Sequence, residues 1–219
     1  MMIGRAVAAS SPPRIATRKE PKQSRSADLV ATILEAAVRV LSEDGAARFT
    51  TARVAERAGV SVGSLYQYFP NKASILFRLQ SDEWRRNHEL LSAILEDQDT
   101  PPENRLRELV RAFVKSECDE AAVRNALSDA APLYRDAPEA IEVRGKTNPM
   151  LRAFMREALP DTPEDERRRV GDLIMSTLTS VAKRFSETPR EDDDIQVQAD
   201  AMADMFIAYL RLAQSRAAD

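Results

Sequence analysis

Between Phe49 and Lys72 the sequence reads FTTARVAERAGVSVGSLYQYFPNK, and few backbones accept it. Thr50 is suited to cap a helix, and Val54, Ala55 and Ala58 place small apolar groups on one face of the helix that follows. Gly59 falls where that helix must end in a conformation of positive φ. Ser61 caps a second helix, on which Leu65 and Phe69 lie four apart and face the same core as Val54 and Ala58. The opposite face then shows Ser64, Gln67 and Tyr68, with Tyr66 at its edge. The spacing predicts helices over Thr51–Ala58 and Val62–Phe69, joined by a turn with glycine. Such a helix-turn-helix puts its second helix into the DNA major groove.

The pattern T-x-x-x-V-A-x-x-A-G-V-S-x-G-S-L-Y-x-Y-F-x-N-K, from Thr50 to Lys72, resembles the DNA-binding domain of the TetR family of bacterial repressors. The likeness covers roughly residues 27 to 80; beyond it only a compatible helix pattern is legible. It implies an all-α protein: an N-terminal three-helix DNA-binding domain and a C-terminal helical domain that binds a ligand and dimerises. It also implies that Thr51, Ser61, Ser64, Tyr66, Tyr68 and Lys72 meet backbone phosphates. Arg53, Val62, Gly63 and Gln67 occupy positions where such proteins read bases. Arg53 suits guanine and Gln67 adenine. Val62 offers only a methyl contact and Gly63 no side chain, which leaves part of the specificity to DNA shape.

The charge distribution agrees. Residues 1–72 hold 11 Lys and Arg against 6 Asp and Glu, whereas the remainder holds 21 against 29. A basic front and an acidic back suit a protein that offers one end to a polyanion. Residues 1–26, with Pro12, Pro13, Pro21 and several basic side chains, read as a flexible tail, either an arm on DNA or a solvated leader. Residues 27–72 form the DNA-binding domain and residues 73–219 the helical domain.

The first helix is expected from Ala27 to Asp44, capped by Ser26 and stopped by Gly45. Asn71 caps a long helix from Lys72 to Asp97, so Lys72 sits at a helix start, where a phosphate is favoured. On that helix Phe77, Trp84, His88, Leu91 and Leu95 fall on one face and are expected to look inward. His88, the only histidine, is then either a ligand-sensing group or a satisfied interior or edge residue. A helix from Thr100-Pro101-Pro102 is expected to run on through Leu127, and a bend covers Ser128–Pro138. The helix near Pro138 is either kinked or broken around Gly145–Pro149. Thr162 is expected to cap the next helix, with Pro163 as its first residue.

The resemblance implies that a small molecule enters the helical half and moves the long helix. Trp84, His88, Leu91, Phe113, Tyr134, Met150, Phe154 and Leu178 are candidate walls for an apolar or aromatic effector. The last two long amphipathic helices are expected to pair with their copies in a homodimer, through Ile174, Val181, Phe185, Met202, Phe206 and Tyr209.

Catalysis finds no support. There is no HExxH, no paired Cys/His set, no P-loop and no GxSxG, so neither a catalytic nor a metal site is expected, and no cofactor. The single cysteine, Cys118, excludes an internal disulfide and fits a cytoplasmic protein. No apolar run approaches the ~20 residues of a membrane helix. The sequence therefore predicts a regulator released from a palindromic operator by its effector, or else an architectural or recruiting DNA-binding protein without one.

Overall fold

The computed structural model describes Ile15 and residues 24–144 and 149–218. Among these, every regular element is a helix: α1 (Ser24–Arg48), α2 (Thr51–Arg57), α3 (Val62–Tyr68), α4 (Lys72–Leu95) and α5 (Pro102–Asp119), then α6 (Ala121–Ala130), α7 (Pro138–Arg144), α8 (Pro149–Ala158), α9 (Glu164–Phe185) and α10 (Asp192–Ala218). They sort into two compact units. One holds the chain up to Ser81 and the segment Ala126–Lys146; the other holds Asp82–Asn125 and the chain from Thr147.

In the first unit α1 lies against α2, and α2 against α3. Ile33, Ala37 and Leu41 of α1, Val54 and Ala55 of α2 and Leu65 of α3 are fully buried, with Phe49 and Phe69 closing the gaps between helices. α1 begins before the expected cap: Ser26 lies inside it, and the helix resumes for one turn after Gly45. Gly45 marks the break all the same, at φ 72°, a value that L side chains resist. Ile15, in the stretch expected to be a tail, is buried, as an isolated β-branched apolar residue prefers to be. Tyr134 packs its ring on Phe77, and its hydroxyl lies within hydrogen-bond distance of the Leu127 carbonyl, at 3.1 Å, and of Gln80 Oε1, at 3.2 Å.

In the second unit α5 runs along α10 and also packs on α9, and α8 packs on α9. Its core joins Leu91, Leu109, Phe113, Met150, Phe154, Leu178, Met202 and Phe206, among others. Three exposed ion pairs, Arg107–Asp204 and Arg111–Asp200 at 2.6 Å and Arg211–Glu103 at 2.7 Å, align α5 with α10. Such pairs contribute little each and serve register more than stability.

Two expectations change in these later helices, and a third falls on residues that the structure does not describe. The helix that starts at Pro102 ends at Asp119: Glu120, at φ −105° and ψ 12°, interrupts it, and α6 follows as a separate helix. Pro163, not Thr162, occupies the cap position of α9; the Thr162 hydroxyl is buried without a hydrogen-bond partner. The stretch 145–148, where a kink or break was left open, lies outside the described residues.

Candidate nucleic-acid interface

The turn between α2 and α3 is built from short-range hydrogen bonds. Thr50, extended at φ −135°, accepts the Arg53 amide on its side chain and starts α2. Gly59 turns the chain at φ 67°, and the Val60 amide reaches back to the Ala55 carbonyl at 3.0 Å. Ser61 starts α3 by accepting the Ser64 amide at 3.0 Å, and the two serine hydroxyls share a bond of 2.8 Å. Phe69 leaves the helix at φ −116°, which ends α3. Asn71 and Ser74 then cap each other: the Ser74 amide donates to Asn71 Oδ1 at 2.9 Å, and the Ser74 hydroxyl to the Asn71 carbonyl at 2.6 Å. α4 therefore begins with Lys72 exposed at its first turn.

Most of the residues named above as candidate DNA contacts are at least partly exposed here. Val62 and Tyr66 are each 40% exposed, while Ser61, Gly63 and Gln67 are exposed and Ser64 and Thr51 half-buried. The Tyr66 hydroxyl shares a 3.1 Å hydrogen bond with Thr51, which fixes the phenol across the gap between α2 and α3. Gly63 has only the Ser61 hydroxyl near its Cα, 3.7 Å from where a Cβ would stand, so another backbone can approach closely.

Tyr68 does not belong to this surface. It is 8% exposed and packs in the core beside Leu65, three positions before it on the same helix face. α3 stops at Tyr68, and Phe69 turns inward from extended backbone, so both aromatics are buried. Tyr66 takes the exposed role instead. Arg53 is exposed but engaged: its guanidinium lies 2.8 Å from Asp44. Beside it Arg57 forks onto Glu43 at 3.0 and 2.6 Å, which holds the Glu43 carboxyl below the usual carboxylate range. Both acids come from the last turns of α1 before Gly45, and sequence spacing gave no sign of them.

The proposed effector walls are only partly brought together. Leu91, Phe113, Met150, Phe154 and Leu178 share the core of the second unit. Tyr134 lies in the first unit, bonded as described, and His88 is exposed. On α4 the inward positions after Leu79 are Glu83, Leu91 and Leu95, with Trp84 only half-buried. A carboxylate thus sits where the tryptophan face was expected. Glu83 is held by Arg124 of α6 at 3.0 Å, and the same guanidinium also binds Glu117 of α5 and the Ser116 hydroxyl at 2.9 Å. Burial raises the pKa of both Glu83 and Glu117, against the opposing pull of Arg124.

A fully buried cation, Arg105, donates to the Leu95 carbonyl at 2.6 Å and pairs with Glu157. Its position was legible, since Arg105, Leu109, Phe113 and Glu117 follow at steps of four along the buried stripe of α5. A charge at a stripe position asks for a partner.

Of the proposed dimer contacts, Ile174, Met202 and Phe206 are consumed by the core of their own chain, and Val181, Phe185 and Tyr209 pack against it. A different stripe of α10 is left open. Val197, Ala201, Met205, Ala208 and Leu212 follow at helical steps, and all are exposed, as is Leu173 of α9.

Comparison with known proteins matches both halves of the chain to one family. The model for bacterial regulatory proteins of the tetR family matches residues 33–79, and the model for the tetracyclin repressor-like C-terminal domain matches residues 101–213. The transcriptional repressor KstR of Rhodococcus jostii is 28% identical over 165 residues, which cover 71% of this chain and 74% of that protein. The regulator TtgR of Pseudomonas putida is 37% identical over 83 residues, 38% of this chain and 37% of its own. A likeness in fold extends to the crystal structure of a putative TetR-family regulator from Mesorhizobium loti, at a TM-score of 0.66 and 16% identity, covering 85% of this chain and 98% of that one.

Proposed function

The chain belongs to the TetR family of bacterial transcriptional regulators, and from that premise we propose that it is a homodimeric repressor released from a palindromic operator by a small molecule. The observation that carries the reading is the exposed surface of α3, where Ser61, Gly63, Tyr66 and Gln67 stand on a helix capped at its start and anchored by Leu65 and Phe69. Rigid short helices of this kind position a few side chains against base edges, while hydroxyls and a helix start hold phosphates. Ser61, Ser64, Thr51, Tyr66 and Lys72 serve as phosphate contacts; Val62, Gly63 and Gln67 face bases. Arg53 reaches DNA only by sharing or leaving Asp44.

One such helix makes few contacts, and two half-sites about 34–36 Å apart need two copies. The open stripe from Val197 to Leu212 supplies a surface for the second copy, because exposed apolar rows of this length favour association. The effector binds the helical half and favours the arrangement of α4 that does not fit DNA, since a ligand with no such preference shifts nothing. Among the described residues no helix is long and apolar enough to cross a membrane, and the protein acts with its DNA in the cytoplasm.

The test is fluorescence anisotropy with duplexes from upstream of the gene and its neighbours, on the wild type and on Tyr66→Ala with Lys72→Ala. Selective binding of one palindromic fragment, lost in the double variant, is the expected result. Equal binding by both proteins would refute the assignment of the surface. Selective binding that no small molecule ever weakens would favour an architectural or recruiting role.

A further inference from the structure

We propose that the groove between the end of α4 and α8 is a binding site for a monocarboxylic acid with an aromatic or aliphatic body, anchored by Arg105. The groove measures about 620 Å³ and is lined by Leu95, Met150, Phe154, Arg156 and Glu157, among others. That size is ordinary for a small-molecule site. Arg105 is 1% exposed, yet each of its three contacts lines this groove: it donates to the Leu95 carbonyl, pairs with Glu157, and lies 5.4 Å over the ring of Phe154. The guanidinium therefore lies behind these three lining residues and meets the groove when Glu157 swings aside. Its Nε, buried, has no hydrogen-bond partner.

The two members of the pair differ in freedom. Arg105 is enclosed and must keep an anion beside it. Glu157 is 41% exposed and loses little by rotating into water. A carboxylate entering the groove takes the place of Glu157 on the fork of Arg105, with its body against Met150, Phe154 and Leu95. An amine or an alcohol of the same shape cannot make this exchange. Arg156 and Glu96 of the lining carry opposite charges, so the preference for an anion comes from Arg105 behind it. Occupancy also bears on α4, because Arg105 holds the carbonyl of its last residue, Leu95. The inference deepens the effector reading and rests on it for any effect on DNA.

The experiment is calorimetric titration of the full chain with 4-phenylbutyrate, 4-phenyl-1-butanol and 4-phenylbutylamine. Wild type should bind the acid and neither of the others. Glu157→Gln, which removes the competing carboxylate, should tighten the acid by about tenfold, the scale of one charge-assisted hydrogen bond. Ala153→Trp, at an exposed position on the groove wall, should abolish binding without touching Arg105. Failure of all three probes to bind, or equal binding of acid and alcohol, would overturn the site, as would an acid affinity indifferent to both variants. Binding with the expected variant pattern, but without effect on operator affinity, would uphold the site and sink the effector reading. Release from DNA by another compound, unchanged in Ala153→Trp, would do the reverse.

Discussion

Two glycines four residues apart in the reading motif should respond to alanine with opposite signs. Gly59 sits at φ 67°, and a Cβ there would meet nothing within 4 Å, so the whole cost of Gly59→Ala is conformational. Placing an L side chain in the left-handed region costs about 1 kcal/mol or somewhat more. Gly63 is the second residue of α3, in ordinary helical backbone, and its Cβ would lie at van der Waals distance from the Ser61 hydroxyl. There alanine spares the chain the entropy of glycine and contributes about 0.5 kcal/mol toward the fold. Native-state hydrogen exchange reads both effects on the amides of Leu65 and Phe69, whose partners are the Ser61 and Leu65 carbonyls. Gly59→Ala should speed their exchange about fivefold and Gly63→Ala should slow it about twofold, by the usual conversion of free energy to population. DNA affinity should not follow stability, because the methyl of Gly63→Ala stands on the surface proposed to approach the groove. The firmer head should bind more weakly. Changes of the same sign in both variants, or no change in Gly59→Ala, would refute the reasoning.

Three further predictions concern the helical half. Burial raises the folded-state pKa of Glu83 and Glu117, so their contribution is fullest below the ordinary carboxylate range and is lost as pH rises through the raised values. Glu83→Gln should therefore gain in melting temperature relative to wild type as pH rises from about 4 to about 8, while Arg124→Met, which strands two buried acids, should lose about 3–5 kcal/mol near neutrality. A constant offset between Glu83→Gln and wild type across that range would count against the burial of a charge. Met205→Glu should convert the dimer to monomer in sedimentation equilibrium with helical content unchanged, because it puts a charge in the open stripe of α10; a persistent dimer would move the interface elsewhere.

What the sequence disclosed and what it concealed divide by range. Thr50, Gly59, Ser61 and Asn71 were readable because each satisfies backbone groups within three or four residues, and such chemistry is written locally. Tyr68 was misplaced because a seven-residue helix gives too short a run to fix its phase: Leu65 with Tyr68 and Leu65 with Phe69 are both same-face spacings. His88 was misplaced for a different reason. Hydrophobic periodicity puts tryptophan inside before glutamate, and nothing near Glu83 announces that Arg124, 41 positions on, will neutralise it. Likewise the stripes of α9 and α10 were recognisable as amphipathic, but not which row a chain would spend on its own core. The acids that hold Arg53 and Arg57 belong to the same class, since only the packing of α1 on α2 brings them there.

Those two ion pairs change how the front of the molecule meets a polyanion. Between residues 27 and 72 the cations Arg39, Arg48, Arg53, Arg57 and Lys72 are equalled in number by Asp28, Glu35, Glu43, Asp44 and Glu56. The positive surplus counted for the N-terminal third belongs wholly to the stretch ahead of residue 27, where Arg5, Arg14, Arg18, Lys19, Lys22 and Arg25 stand against Glu20 alone. On the reading proposed above, long-range attraction to DNA falls to that leading segment, and discrimination among sequences to an electrically balanced head. Added salt, which screens the first and barely touches close hydrogen bonds, should slow the search for an operator far more than it blurs the choice of one.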